Sequence, residues 1–236
     1  MKTYRRIARQ MSFFYFILIA GTMLAATLLL SLNVYATSQR PNRIYFDGKK
    51  YDLCTDPMEE YFKTYPNGKP KIYFRDTSLY RGYLATFETD GGSLFVKDIE
   101  ANKPRVSGDD STAEWQSVLA DIVPSNERLK VDWVTGLLVA PFGNYRQLDY
   151  TEYDCELAYE NYLVIEVKDG QVGRSKRLVG FENWMEFQQK QSDAFRKTKE
   201  FKDLVKKWRS EGDTDESINS AIKYSILAHS KKILVD

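Results

Sequence analysis

The chain has 236 residues, 43% of them hydrophobic and 28% charged, with 34 Lys and Arg against 33 Asp and Glu. These ordinary globular proportions exclude a disordered chain, a collagen-like chain and a polytopic membrane protein. One His and two Cys exclude poly-His metal sites and four-cysteine zinc modules, so no metal and no cofactor is expected.

The first ten residues carry Lys2, Arg5, Arg6 and Arg9 and no acid, and the next stretch, Phe13 to Leu32, holds no charge in twenty residues. As a helix that run rises about 30 Å, the thickness of a bilayer's hydrocarbon core. A charge at its centre would cost roughly 2.5–3.5 kcal/mol, so the uncharged run is a physical condition for spanning. The basic flank places the N-terminus in the cytoplasm and the rest of the chain outside. Two outcomes stay open. Val34-Tyr35-Ala36 has the small residues of a signal-peptidase site, with cleavage before Thr37 giving a secreted or periplasmic product. The apolar run is longer than a signal peptide's, and Tyr35 sits where an interfacial aromatic anchors a permanent single-pass helix. Without residues 1–36, 30 basic residues remain against all 33 acids, a net charge of −3. No basic block suits a phosphate backbone, so nucleic acid is not an expected partner.

Cys54 and Cys155 both fall in the exported part, where an oxidising compartment permits a disulfide. The alternative is two separate buried thiols.

After a polar linker, Ile44–Phe46 and Tyr51–Leu53 flank Asp47-Gly48 as a hairpin. Asp56-Pro57 starts a helix that runs from Met58 to about Thr64. Lys71–Arg75 and Tyr80–Glu88 are rich in strand formers, and Asp90-Gly91-Gly92 turns the second into Ser93–Ile99. Residues 100–112 read as a loop, Glu114–Ile122 as a short helix, and Val131–Ala140 as a strand ended by Pro141. Tyr159–Lys168 and Gln171–Leu178 form a last hairpin about Asp169-Gly170. Beyond residue 180 the apolar residues recur at helical spacing among Lys, Glu and Gln. The pattern breaks near Ser210–Asp213, and a second helix carries Ile218, Ile222 and Ile226. These helices either pack on the sheet or, being Lys-rich and amphipathic, lie on a membrane or a partner helix.

The expected fold is therefore α+β: a predominantly antiparallel β domain with short helices, an N-terminal transmembrane helix and C-terminal amphipathic helices. Its expected divisions are 1–36, 37–180 and 181–236.

Tyr80-Arg81-Gly82-Tyr83-Leu84-Ala85-Thr86-Phe87-Glu88, the glycine turn after it and Leu94–Ile99 resemble an uncharacterised bacterial family. Its members carry an Arg-Gly-Tyr-x-Ala-Thr-Trp/Phe-Glu strand. Asp132-Trp133-Val134-Thr135-Gly136 is similar to that family's Trp-x-x-Gly segment. The resemblance covers residues 44–175 and implies a β-rich module and no reaction.

Strong catalytic signatures are missing from the sequence. There is no Gly-x-Ser-x-Gly elbow, no P-loop and no Gly-x-Gly-x-x-Gly. His229 reads as a surface helix residue, and Ser220-x-x-Lys223 lacks its companion motifs. Two places remain. Asp149, Glu152, Asp154, Glu156 and Glu160 are interleaved with Tyr150, Tyr153 and Tyr159. Such carboxylates with aromatic platforms suit sugars, or Ca²⁺, or a cationic partner, or are simply a solvated loop. Arg81, between Tyr80 and Gly82, either clamps an anion or forms an internal ion pair. The candidate ligand contacts are thus Arg81, Trp133, Tyr153, Asp154 and Glu156. The expected function is a non-enzymatic envelope binding module, held at the membrane by residues 13–32, with a protein or glycan partner. Its rivals are a carboxylate-dependent hydrolase of envelope glycan and an immunity-type inhibitor.

Overall fold

The computed structural model describes residues 39–72, 76–104, 113–123, 127–146, 155 and 158–235. The apolar run at 13–32, and with it the expected transmembrane helix, lies outside them. Among the described residues no helix is long and apolar enough to cross a membrane. The described residues fall within one compact unit, Thr37–Asp236.

The fold is α+β and mostly antiparallel. Eight strands run β1 (Asn42–Phe46), β2 (Lys49–Leu53), β3 (Tyr83–Asp90), β4 (Ser93–Pro104), β5 (Ala113–Ser117), β6 (Gly136–Tyr145), β7 (Tyr159–Lys168) and β8 (Gln171–Leu178). Among the described residues five α-helices accompany them: α1 (Pro57–Thr64), α2 (Leu119–Ile122), α3 (Phe181–Phe195), α4 (Lys199–Glu211) and α5 (Asp215–His229). The strand order is β2-β1-β3-β4-β8-β7-β6, with β5 added to β4. Every pairing is antiparallel except β1 with β3. That parallel pair follows from the connection: β2 and α1 lie between the two strands and carry the chain back to the same end.

The Asp-Gly turns form as their chemistry requires. Asp47 and Gly48 have φ of 49° and 72°, and Asp169 and Gly170 have 49° and 71°, the paired positive values of a two-residue hairpin. At Gly170 an added Cβ would lie 2.6 Å from the Val131 carbonyl oxygen, so close approach as well as φ demands glycine there.

The sheet curls until its ends meet. The amide of Cys54, just past β2, donates to the carbonyl of Val139 in β6 at 2.9 Å. Residues from β1, β2, β3, β4, β6 and β7 accordingly converge on one core: Ile44, Leu53, Tyr83, Phe87, Ile99, Leu138, Ile165 and others. Met58 and Phe62 of α1 enter this core from the side. A second core lies on the opposite face of β6 and β7, where Leu137, Val139, Tyr162 and Val164 meet Trp184, Phe187, Phe195, Ile218, Ile222 and Ile226. Trp184 stacks on Tyr162 with centroids 4.1 Å apart. The apolar stripe of α4, with Phe201, Leu204, Val205 and Trp208, is partly buried against the same core. Buried Gln191 secures the C-terminal segment: its Nε2 donates to Ser230 Oγ and the Lys232 carbonyl, both at 2.8 Å, and its Oε1 accepts from Leu234 N.

Several boundaries differ from the sequence reading. β6 runs through Pro141 to Tyr145, because beyond the Cys54–Val139 bond its outer side pairs with no strand in the described sheet and a proline without N–H is tolerated on such an edge. β4 continues to Pro104, where a loop was expected, since β5 pairs with its far half. The expected helix at 114–122 is β5 followed by only Leu119–Ile122. Lys71 and Ile72 are not in a strand, and residues 73–75 lie outside the described ones. The tail holds three helices rather than two. Thr198 and Thr214 each cap a new start, accepting from Phe201 N at 3.1 Å and Ser217 N at 3.2 Å.

Candidate functional site

Of the residues that drew attention in the sequence, Cys54, Arg81 and Trp133 meet at one short segment, Cys54–Pro57, between β2 and α1. Cys54 is bonded to Cys155, with Cα atoms 5.5 Å apart. Asn42 Nδ2 donates to the Thr55 carbonyl at 3.1 Å and to Asp56 Oδ1 at 2.5 Å, while its Oδ1 accepts from Ala85 N at 3.0 Å. Arg81 Nη1 lies 3.3 Å from Asp56 Oδ1. Trp133 Nε1 donates to the Pro57 carbonyl at 2.8 Å.

Arg81 is not on β3 as the sequence pattern implied. It sits in the turn before that strand, where Gly82 N bonds back to the Leu79 carbonyl at 3.0 Å. Its side chain is only 8% exposed. Nε donates to the Tyr83 carbonyl at 2.9 Å, and Nη2 donates to the Arg40 carbonyl. With Asp56 on the remaining nitrogen, the guanidinium is committed to internal partners. Glu88 lies elsewhere, paired with Lys97 at 2.6 Å and Arg128 at 2.9 Å.

One helical turn along α1, Glu59 continues the charged cluster. It accepts from Tyr83 Oη at 2.8 Å and from Lys69 Nζ at 2.9 Å. The two carboxyls are pushed in opposite directions. Burial raises Asp56 above the usual aspartate value, helped by the charge of Glu59 and opposed by Arg81, Asn42 and Lys69. Burial also works upward on Glu59, but the hydrogen bonds from Lys69 and Tyr83 and the charges of Lys69 and Arg81 outweigh it and hold the group low. Burial and the hydrogen bond to Glu59 push the Tyr83 phenol up. A pair of carboxyls split this way is what acid–base chemistry needs. Here, however, both are already engaged: Asp56 by Arg81 and the Asn42 amide, Glu59 by Lys69 and the Tyr83 hydroxyl.

The other flank of α1 is aromatic. Glu59 and Tyr61 project about 160° apart around the helix axis, so Tyr61 and Tyr65 turn away from the charged cluster. The Tyr61 and Trp133 rings are 4.7 Å apart and the Tyr61 and Tyr65 rings 4.8 Å apart, tilted by 47° and 37°. Tyr65 is 56% exposed. Sequence reasoning singled out Trp133 and missed Tyr61 and Tyr65. Their spacing of four, beside buried Met58 and Phe62, is the signal that could have found them.

Tyr153, Asp154 and Glu156 lie outside the described residues, so of the five candidate contacts only Arg81 and Trp133 are placed. Both fasten Asp56-Pro57 from different sides. The end of the acidic segment is seen at Tyr159, whose Oη donates to Asp52 Oδ2 at 3.2 Å. His229 packs edge-on against Trp208, and burial lowers it. Among the described residues no group of three or more His, Cys, Asp or Glu could hold a metal ion.

No protein-family model, no curated protein and no solved structure matches the chain.

Proposed function

We propose that this chain is a binding module of the bacterial envelope, tethered to the membrane by residues 13–32, with the aromatic flank of α1 as its ligand-facing surface. The observation that carries this reading is the row Trp133–Tyr61–Tyr65. Its inner end is fixed to the α1 backbone by the indole hydrogen bond, and its outer end is open to solvent. Rigid aromatic side chains present large contact area at low entropic cost. The Cys54–Cys155 bond and the Arg81–Asp56 pair immobilise the start of the helix that carries them.

A cross-linking amino acid in place of Tyr65, in intact cells, tests this. The reading expects a discrete adduct that is absent when the cross-linker stands at exposed Glu211. Sensitivity of the adduct to a muramidase marks a glycan partner, and sensitivity to a protease a protein partner. Equal labelling from both positions, or from neither, contradicts the reading.

The second reading, a carboxylate-dependent glycan hydrolase, would draw on Asp56 and Glu59, which share one cluster with Arg81, Lys69 and Tyr83. Release of reducing ends from purified sacculi, abolished in both Asp56→Asn and Glu59→Gln, would favour it over binding.

A further inference from the structure

The most exposed large apolar side chain among the described residues is Tyr80, at 73%. It is among the described residues that line a hollow of about 470 Å³, with Ile72, Asp76, Thr77 and Leu79. Ile72, itself 45% exposed, enters that wall because residue 82 has no side chain: a Cβ on Gly82 would lie 2.5 Å from Ile72 Cγ1. The hollow is thus built by the same Arg81-Gly82 step that sets the ion pair with Asp56.

This surface lies where the described chain begins. Gln39 Nε2 donates to the Thr77 carbonyl at 2.8 Å, and Gln39 Oε1 accepts from Tyr80 N at 2.9 Å. Arg40 N donates to the Ser78 carbonyl at 2.7 Å, and the Arg40 guanidinium pairs with Asp76 at 3.3 Å. The loop bearing Tyr80 is therefore clamped to the first two described residues. Only residues 33–38 separate Gln39 from Leu32, the end of the apolar run. Seven residue steps reach at most about 25 Å even when fully extended. If the run spans a bilayer, no conformation of the tether carries Gln39 farther than that from the end of the run, and the loop is held directly against Gln39.

We propose that Tyr80, Ile72 and the hollow between them dock on the outer lipid leaflet, with Tyr80 at headgroup level. Tyrosine favours that depth because its ring is apolar and its hydroxyl stays wet. The proposal rests on the reading of residues 13–32 as a membrane anchor.

The test uses the full chain in vesicles of phosphatidylcholine carrying a photoactivatable diazirine near the headgroup end of one acyl chain. After irradiation, tryptic peptides are read for lipid adducts. The peptide Asp76–Arg81 should carry about fivefold more lipid than the peptide 131–146, which holds exposed Tyr145. Tyr80→Ser should remove most of that labelling without moving the melting temperature, since the ring is solvent-exposed. Alkaline carbonate extraction of the same vesicles separates the two ideas. Release of the chain overturns the anchor reading and the docking with it. Retention of the chain with no enrichment on Asp76–Arg81, or with enrichment unchanged by Tyr80→Ser, overturns the docking alone.

Discussion

Arg81 and Asp56 meet at 3.3 Å across the start of α1, with the arginine side chain almost wholly enclosed and the aspartate partly open. The guanidinium also satisfies the carbonyls of Tyr83 and Arg40. Replacing Arg81 with Met removes the charge and strands both carbonyls and the aspartate. Loss of one partner from a fully buried pair costs roughly 3–5 kcal/mol. Partial exposure of Asp56 reduces that, so the expected cost is about 2–3 kcal/mol. Arg81→Lys should recover only part of it, because an ammonium cannot reach three acceptors in a plane. Urea unfolding under oxidising conditions measures both.

The opposed shifts of Asp56 and Glu59 give opposite pH signatures. Burial raises Asp56 in the folded state above the ordinary aspartate value of 3.8. Its contribution to stability is complete below that value and is lost as the pH rises through the folded pKa. Glu59 is lowered below 4.5. Its contribution is present above 4.5 and is lost as the pH falls through the folded value. Measured against the parent chain, Asp56→Asn should gain relative stability as the pH rises through the acid range. Glu59→Gln should lose it over the same range. Unfolding midpoints between pH 3 and 7 for the three proteins show whether the slopes differ in sign.

Two hairpin glycines with similar φ should respond unequally to alanine. At Gly48 an added Cβ meets nothing within 4 Å, so only backbone strain is felt, about 1 kcal/mol. At Gly170 the Cβ would press on the Val131 backbone, 2.6 Å from its carbonyl oxygen. The cost there should be at least about 2 kcal/mol, because the strand hairpin and the 131–134 segment must part. Thermal unfolding of Gly48→Ala and Gly170→Ala gives the ranking.

The parts of the fold that were legible in the sequence are those fixed by local chemistry. The Asp47-Gly48, Gly91-Gly92 and Asp169-Gly170 turns and Pro57 at the start of α1 rest on backbone preferences of one or two residues, whereas the Asp56 carboxylate caps no helix amide and goes to Asn42 and Arg81 instead. What could not be read depends on distant partners. Nothing near Pro104 announces that β5 will extend β4. Nothing near Pro141 announces that its strand will be an edge. Periodicity marked the tail as helical, but the break at Thr198 depends on a single side-chain cap. The candidate site was half legible. Arg81 and Trp133 stood out by type and neighbourhood, but their shared target, Asp56-Pro57, is set by the curling of the sheet that brings β3 and the segment before β6 onto opposite sides of α1.

The central claim is that the folded body lies across a lipid barrier from the N-terminus, in an oxidising space where Cys54 and Cys155 are joined. The bond closes a loop with a sequence separation of 101, for which the chain-entropy model gives up to about 4.7 kcal/mol. Mass-tagged maleimide added to the denatured membrane and soluble fractions of whole cells tests the claim. Without prior reduction the full chain should take no tag, and after reduction it should take two. Two tags without reduction, on a chain recovered in the soluble fraction, would contradict the account.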